Sequence, residues 1–135
     1  MRDEWCRRTD GVIFFDESYE LGSDVTLRRV GGHFRCQTVA AWRTGNRGRG
    51  VLLAGDAVFP NPDHRTVIFL RSYPNRLPLS GAVVLRISAQ LDGLHFDRLY
   101  NNFGAVVGSD AKSVVRSSAV RHAAWTNGEH DAETW

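Results

Sequence analysis

Two short motifs place a side chain that can bind a metal directly after a predicted β-strand. The first is Gly31-Gly32-His33-Phe34, and the second is Leu52-Leu53-Ala54-Gly55-Asp56. An imidazole nitrogen and a carboxylate oxygen are both suitable ligands for zinc or iron. The glycines beside them allow the backbone to turn tightly and leave room for a metal and its substrate. The pattern therefore makes His33 and Asp56 candidate metal ligands.

Each motif also has a purely structural interpretation. A histidine at a strand end can be a hydrogen-bonded structural residue. An aspartate after a strand can stabilise a turn or cap a helix. The two interpretations differ in geometry, because in a metal site His33 and Asp56 should leave adjoining strand tips and point toward a common position.

The elements that would position these residues follow from hydrophobic periodicity and turn signals. Residues 44–50 form a glycine-rich hairpin connection, and residues 51–54 are an apolar run typical of a strand covered on both faces. Two prolines predict an irregular loop at residues 59–63. The remaining predicted elements are strands at 12–15, 25–30, 37–43 and 96–100, a strand or short buried helix at 66–70, and helices at 79–91 and 110–125. The second helix would be capped by Ser109, and its inner face would comprise Ala111, Val114, Val115, Ser118, Ala119 and His122.

This order of elements predicts an α+β fold with one mostly antiparallel sheet and helices on one face. Residues 1–125 would form a single domain, and residues 126–135 a flexible polar tail. The chain has 135 residues, of which 42% are hydrophobic and 24% charged, and this composition is typical of a soluble globular protein. Residues 1–10 lack the long apolar stretch of a signal peptide or membrane helix, which favours a cytoplasmic location.

Charge and cysteine content exclude several classes of site. The formal net charge of +2 does not indicate a nucleic-acid partner, and no membrane partner is expected. The adjacent Arg28 and Arg29, with the arginine-rich N-terminus, predict a solvated basic face. Cys6 and Cys36 could form a disulfide, but two cysteines do not make a disulfide framework. The absence of a CxxC pair argues against a zinc site built from thiolates.

The order of the two motifs resembles the C-terminal half of the metallo-β-lactamase-fold hydrolases. The similarity comprises a strand ending in Gly-His, a glycine-rich hairpin, an apolar strand ending in Gly-Asp and a helix–strand–helix tail, and it extends over residues 21–125. Residues 71–79 and 96–100 are similar to one bacterial subgroup of that family. The resemblance implies an αββα sandwich, of which this chain supplies a part. It also implies that His33 is a metal ligand and that Asp56 is a bridging ligand that orients the nucleophile, which makes Asp56 the catalytic candidate.

The chain departs from the family pattern at the remaining ligands. The HxHxDH signature is absent, and Tyr100-Asn101-Asn102-Phe103-Gly104 stands where the family has its last Gly-His turn. A catalytic zinc normally has three protein ligands, whereas the match supplies two. His64 and His95 are expected to face solvent, and His122 to lie on the apolar stripe of the last helix. Cys36 is expected to be a buried structural thiol.

The resemblance therefore implies a metal-dependent hydrolase with an incomplete site. Its substrate would be a small ester, amide, thioester or phosphoester, and its metal would be zinc or another divalent ion such as iron or manganese. We expect a truncated domain with weak or no independent activity that needs a missing N-terminal half. The alternative is a non-catalytic binding module on the same scaffold, whose uncovered sheet face would favour self-association into a homo-oligomer.

Overall fold

Strands precede helices along most of the chain in the computed structural model, which describes residues 10–135. The strands are β1 (Ser18–Leu21), β2 (Val25–Arg29), β3 (Thr38–Trp42), β4 (Val51–Gly55), β5 (Phe59–Pro60), β6 (Val67–Ile68), β7 (Arg98–Asn101) and β8 (Val106–Val107). The helices are α1 (Gly81–Asp92) and α2 (Ala111–Thr126), and a short 3-10 helix spans Asp131–Thr134. None of the helices in this described part is long and apolar enough to cross a membrane.

Six of these strands form one sheet in the order β1-β2-β3-β4-β7-β8. Strands β1 to β4 pair antiparallel through hairpins, β4 pairs parallel with β7, and β7 pairs antiparallel with β8. The parallel pair requires a crossover, because the end of β4 and the start of β7 lie at opposite ends of two neighbouring strands. The crossover contains α1 and the small β5–β6 hairpin. The predicted α+β class and its mostly antiparallel sheet are confirmed.

The core lies between this sheet and the two helices. Leu52 of β4 and Leu99 of β7 are fully buried and belong to the same hydrophobic cluster as Ile87 and Leu91 of α1 and Val115 of α2. The spacing of buried residues along α1, at Val84, Ile87, Ser88 and Leu91, is that of one helix face. Both helices therefore cover the same face of the sheet, as the periodicity predicts.

The opposite face, which we call the open face, is apolar and only partly covered. A continuous cross-strand row on this face takes one residue from each strand of the sheet: Tyr19, Leu27, Ala40, Leu53, Tyr100 and Val106. Leu53 is 49% exposed, whereas its neighbours Leu52 and Ala54 are fully buried. The prediction that β4 is covered on both faces is therefore wrong for this chain.

The structure differs from the predictions mainly at the ends of elements. Residues 12–15 form no strand, contrary to the prediction. The tight turn after β1 pairs Leu21 with Val25, so residues 18–21 lie opposite β2 instead. Phe59 and Pro60 are paired with β6 rather than irregular. Helix α2 begins after Asp110, whose backbone N–H is held by the Asp97 carboxylate at 2.9 Å. Asp110, not Ser109, is thus the residue that precedes the helix.

The inner face of α2 matches the prediction at most positions. Ala111, Val115, Ser118 and Ala119 are buried, with Ala123 in addition. Val114 is partly buried against the core. His122 is half-buried, and its Nε2 lies 2.8 Å from the carbonyl oxygen of Leu79. The predicted packing role of His122 is therefore confirmed. Cys6 and the arginine-rich N-terminus, residues 1–9, lie outside the described residues.

The start of the parallel pair depends on a close backbone approach at Gly50. Its φ is +85°, and a Cβ there would overlap the His95 carbonyl and lie 2.8 Å from the Cα of Phe96. We expect Gly50→Ala to lower the free energy of unfolding by about 3 kcal/mol, since backbone atoms must move. Gly48 is the matched control, because its φ is +82° but no atom lies within 4 Å of its Cβ position.

Gly48→Ala should lower that free energy by only about 1 kcal/mol, which is the cost of the left-handed conformation alone. Urea unfolding followed by circular dichroism measures both changes. Equal losses in the two variants would show that the approach at Gly50 does not limit the pairing of β4 with β7.

Candidate functional site

His33, Asp56 and Asn102 lie at one edge of the sheet. Strands β2, β4 and β7 run in the same direction, so their carboxyl ends meet at the edge where β3 begins. His33 lies in the connection from β2 to β3, Asp56 follows β4 directly, and Asn102 follows β7. The strands that precede His33 and Asp56 are separated by β3, so they are not the adjoining strands that the sequence suggests. The connection that carries His33 nevertheless leads into β3, the neighbour of β4.

The ring of His33 is held in one orientation. The side chain is 7% exposed, and its Nδ1 lies 3.0 Å from the carbonyl oxygen of Leu70. A carbonyl can only accept, so Nδ1 must carry the proton and donate it. The ring packs edge-on against Phe34, with centroids 4.6 Å apart. Nε2 is therefore the ring atom with a lone pair, and no described residue bonds to it.

This arrangement is the one that metal-binding histidines adopt. Their second nitrogen usually donates to a carbonyl or carboxylate, which fixes both the tautomer and the orientation of the ring. Among the described residues, the buried side-chain nitrogen or oxygen that lacks a partner is Nε of Arg28. Nε2 of His33 also has no hydrogen-bond partner there, but it is not one of these buried atoms. It is therefore in contact with solvent. It can bind a metal from outside the core.

Two glycines bring the His33 connection against helix α1. Gly31 and Gly32 have φ values of +64° and +97°. A Cβ at Gly32 would lie 2.8 Å from Cδ1 of Ile87 and 3.1 Å from Cδ1 of Leu79. Since both of those side chains are buried, a larger residue at position 32 would displace the connection. Arg71 also holds this connection in place, because its Nη1 donates to the carbonyl oxygen of His33 at 2.9 Å.

Asp56 is oriented by an amide from the neighbouring parallel strand. Nδ2 of Asn102 donates to Oδ1 of Asp56 at 3.1 Å. Gly55, the last residue of β4, has a φ of +54°, and a Cβ there would lie 3.2 Å from Nε2 of Gln37. The glycine thus leaves space for the Gln37 amide beside the end of β4. Asp56 is half-buried, and its Oδ2 has no hydrogen-bond partner among residues 10–135.

An aromatic pocket of about 190 Å³ adjoins this edge. Phe59, Tyr73 and Phe103 form its aromatic part, with ring centroids 5.1 to 6.1 Å apart. The ring of Phe59 also lies 6.0 Å from that of His33. The pocket offers flat apolar surfaces beside the polar groups, so it suits the apolar part of a small ligand.

The loop that borders this pocket is held by a charged aspartate. A hydrogen bond from the Thr66 hydroxyl at 2.7 Å, assisted by the backbone N–H of Arg65 at 2.9 Å, lowers the pKa of Asp63 below its usual value. A carboxyl whose pKa is lowered on folding stabilises the fold above its unfolded pKa and loses that effect as the pH falls through the folded value. The loop is therefore in its stable form at neutral pH.

Two further histidines, His64 and His95, are bound to backbone carbonyls elsewhere. Nδ1 of His64 lies 2.8 Å from the oxygen of Val106, and Nε2 of His95 lies 3.0 Å from that of Gly48. Both are exposed, as predicted. Cys36 carries a free, half-buried thiol. Within residues 10–135 no group of three or more histidine, cysteine, aspartate or glutamate side chains is arranged to hold a metal. The described residues thus offer His33 and Asp56 without a third ligand.

Sequence reasoning missed Asn102 and the aromatic pocket. Asn102 was visible only as a position where the resembled family has a different residue, and its role depends on the parallel pairing of β4 with β7. Phe59, Tyr73 and Phe103 come from three separate loops. No periodic signal connects them, because loop packing is decided by the whole fold.

Comparison with known proteins identifies a relative but no family. No family model matches the chain, and no solved structure matches it. The chain is 40% identical over 128 residues to a protein from Bacillus subtilis (strain 168) that is named Uncharacterized protein YmaE. The match includes 93% of this chain and 47% of YmaE, so the chain spans about half the length of this relative.

The tautomer of His33 is open to direct measurement. We expect its neutral ring to carry the proton on Nδ1, because the Leu70 carbonyl is there to accept it. The matched control is His95, whose proton should lie on Nε2 because that atom faces the Gly48 carbonyl. Long-range ¹H–¹⁵N correlation spectra, recorded where both rings are neutral, distinguish the two tautomers. A His33 ring protonated on Nε2 would remove it as a candidate ligand through that atom.

Proposed function

We propose that this chain supplies the C-terminal half of a metallo-β-lactamase-fold hydrolase, with His33 and Asp56 as its contribution to a metal site. The observation that supports this most strongly is the ring of His33. Its Nδ1–H is fixed to the Leu70 carbonyl, and its Nε2 is left unpaired at the edge of the sheet where Asp56 also lies.

The two side chains fit a divalent metal, but they do not complete its coordination. A neutral imidazole and a carboxylate are ligands that zinc, iron and manganese accept. A third and fourth ligand must come from another segment, since the described residues form no larger group. A metal held there would supply a Lewis acid that polarises a scissile carbonyl or phosphoryl group and activates water.

The residues of this chain would orient and enclose the substrate. Asn102 holds one oxygen of Asp56 and leaves the other for a ligand or nucleophile, which is the positioning role of an outer-shell group. The aromatic pocket would take the apolar part of an ester, amide or thioester and exclude water from it. Because Phe59 contacts the His33 ring, this pocket and the candidate ligands would act on the same bound molecule.

The open face supports the idea of a missing half. A row of apolar side chains runs across all the strands of the sheet, and Leu53 at its centre is 49% exposed. In a two-sheet sandwich such a row would pack against a second sheet about 10 Å away. The match to only 47% of YmaE is consistent with a longer protein in which a further segment occupies this position. We accordingly expect this chain alone to have little or no hydrolase activity.

Zinc titration tests the metal site without reference to activity. We expect weak binding of one zinc ion, measured by competition with a chelating dye and by calorimetry. His33→Ala and Asp56→Asn should each weaken it by about tenfold or more, since even changes outside the ligand set have effects of that size. The matched controls, His95→Ala and Asp24→Asn, alter residues at or near the opposite edge of the sheet and should leave the affinity unchanged. Binding that is absent, or that survives both site substitutions, would contradict the proposal.

A second candidate function is a non-catalytic, self-associating module on the same scaffold. The observation that favours it is the open face itself, because apolar surface of this kind is typical of interaction sites. In this case the unpaired Nε2 of His33 would have no metal, and two copies of the chain would cover each other's open faces. The two candidates differ in zinc binding, which only the first requires.

Sedimentation velocity tests the role of the open face. We expect concentration-dependent association of the wild-type chain and a monomer for Leu53→Lys, because a charge at the centre of the row cannot be buried without a partner. Leu85→Lys is the control, since Leu85 is 42% exposed on helix α1. A wild-type chain that stays monomeric at all concentrations would exclude self-association through this face.

A further inference from the structure

A second pocket, lined by arginines, lies between strand β2 and helix α1. Its volume is about 390 Å³, which is within the range of small-molecule sites. The polar residues that line it are Glu17, Arg28, Arg29, Arg35, Arg86 and Gln90. We call it the arginine pocket. It is distinct from the aromatic pocket, with which it shares no lining residue.

The charge of the arginine pocket is strongly unbalanced. The residues that line it include four arginines and one glutamate, although Arg29 alternates with Arg28 along β2 and so directs its own side chain toward the open face. Arginine cannot lose its proton in a protein, so this charge can be neutralised only by an anion. Elsewhere in the described chain the arginines at positions 43, 49 and 116 lie within 3.5 Å of an aspartate. Arg28 and Arg35 have no such partner among the described residues, whereas Arg29 interacts electrostatically with Asp16.

Arg28 provides an independent sign of a missing ligand. Its Nε is buried, and no acceptor among the described residues reaches it. An unsatisfied buried donor on a charged group is rare in folded proteins, and each case requires an explanation. A bound anion that accepts this N–H would supply one.

Hydrogen bonds within the fold hold the guanidinium group of Arg86 beside the pocket. Its Nη1 donates to the carbonyl oxygen of Val30 and to Oε1 of Gln90, both at 2.8 Å. Its Nη2 lies 3.6 Å from the position that a Cβ on Gly31 would occupy. Gly31 thus leaves open space beside a guanidinium group that is held in place. Such preorganisation lowers the entropy lost when a ligand binds.

We propose that the arginine pocket binds the phosphate group of a small molecule. Guanidinium groups match phosphate oxygens with paired, charge-assisted hydrogen bonds, and several of them can share one dianion. Sequence reasoning interprets Arg28 and Arg29 as a solvated basic face. The volume of the pocket and the buried Nε of Arg28 favour a binding site instead. The proposal is independent of metal binding, because neither His33 nor Asp56 lines this pocket.

The test is calorimetric titration of the full chain with inorganic phosphate and with adenosine 5′-monophosphate, at constant ionic strength set with chloride. We expect saturable binding that Arg28→Gln and Arg35→Gln each weaken by about tenfold or more, the effect of losing a hydrogen bond to a charged group. The matched control is Arg65→Gln, which removes an exposed arginine outside the pocket and should leave the affinity unchanged. Arg35 is exposed, so its substitution decides the outcome if Arg28→Gln does not fold.

The two ligands distinguish the sources of the phosphate. Tighter binding of the nucleotide than of inorganic phosphate, with no binding of adenosine, would assign the pocket to an organic phosphate ester. Equal affinities would assign it to free phosphate, and both results support the proposal. It would be overturned by an absence of saturable binding, by equal weakening in Arg65→Gln, or by binding of an oligonucleotide alone.

Discussion

The parallel pairing of β4 with β7 fixes the path of the chain and the position of helix α1. It begins where the carbonyl oxygen of Gly50 accepts hydrogen bonds from Asp97 and Arg98, at 3.1 and 3.3 Å. Because parallel neighbours cannot be joined by a hairpin, the chain must cross the sheet between them. That crossing places α1 over the core and brings Asp56 and Asn102, which follow the two strands, within hydrogen-bond distance.

The same crossover makes the two faces of the sheet unequal. Both helices pack on one face and bury Leu52, while the opposite face leaves Leu53 half exposed. Successive side chains along a strand point to opposite faces, so each residue on one face is followed in the sequence by a residue on the other. Each proposed function depends on this asymmetry. A second sheet on the open face would complete a hydrolase, and a second copy of the chain there would form an oligomer.

The connection between β2 and β3 serves both candidate sites. His33 lies on it beside the aromatic rings, and Arg35, two residues later, lines the arginine pocket. Gly31 and Gly32 allow this connection to turn between the two sites, because both have a positive φ. Gly32 also approaches the side chain of Ile87 closely.

Elements with a local, repeated residue pattern could be predicted from the amino-acid sequence alone. Apolar alternation and helical spacing identified β2, β3, β4 and both helices, and glycine-linked motifs singled out His33 and Asp56. The sequence also indicated, through a resemblance, a chemistry that these two residues could share. Such signals persist in a single chain because they depend on residues a few positions apart.

Which side chains contact one another depends instead on how the whole chain packs. The Leu70 carbonyl that fixes the His33 ring is 37 residues away, and the Asn102 amide that binds Asp56 is 46 residues away. The pocket that brings Arg28 and Arg86 together in a candidate site likewise lies between a strand and a helix. Contacts of this kind arise from the packing of the whole sheet against its helices, and no periodicity along the chain encodes them.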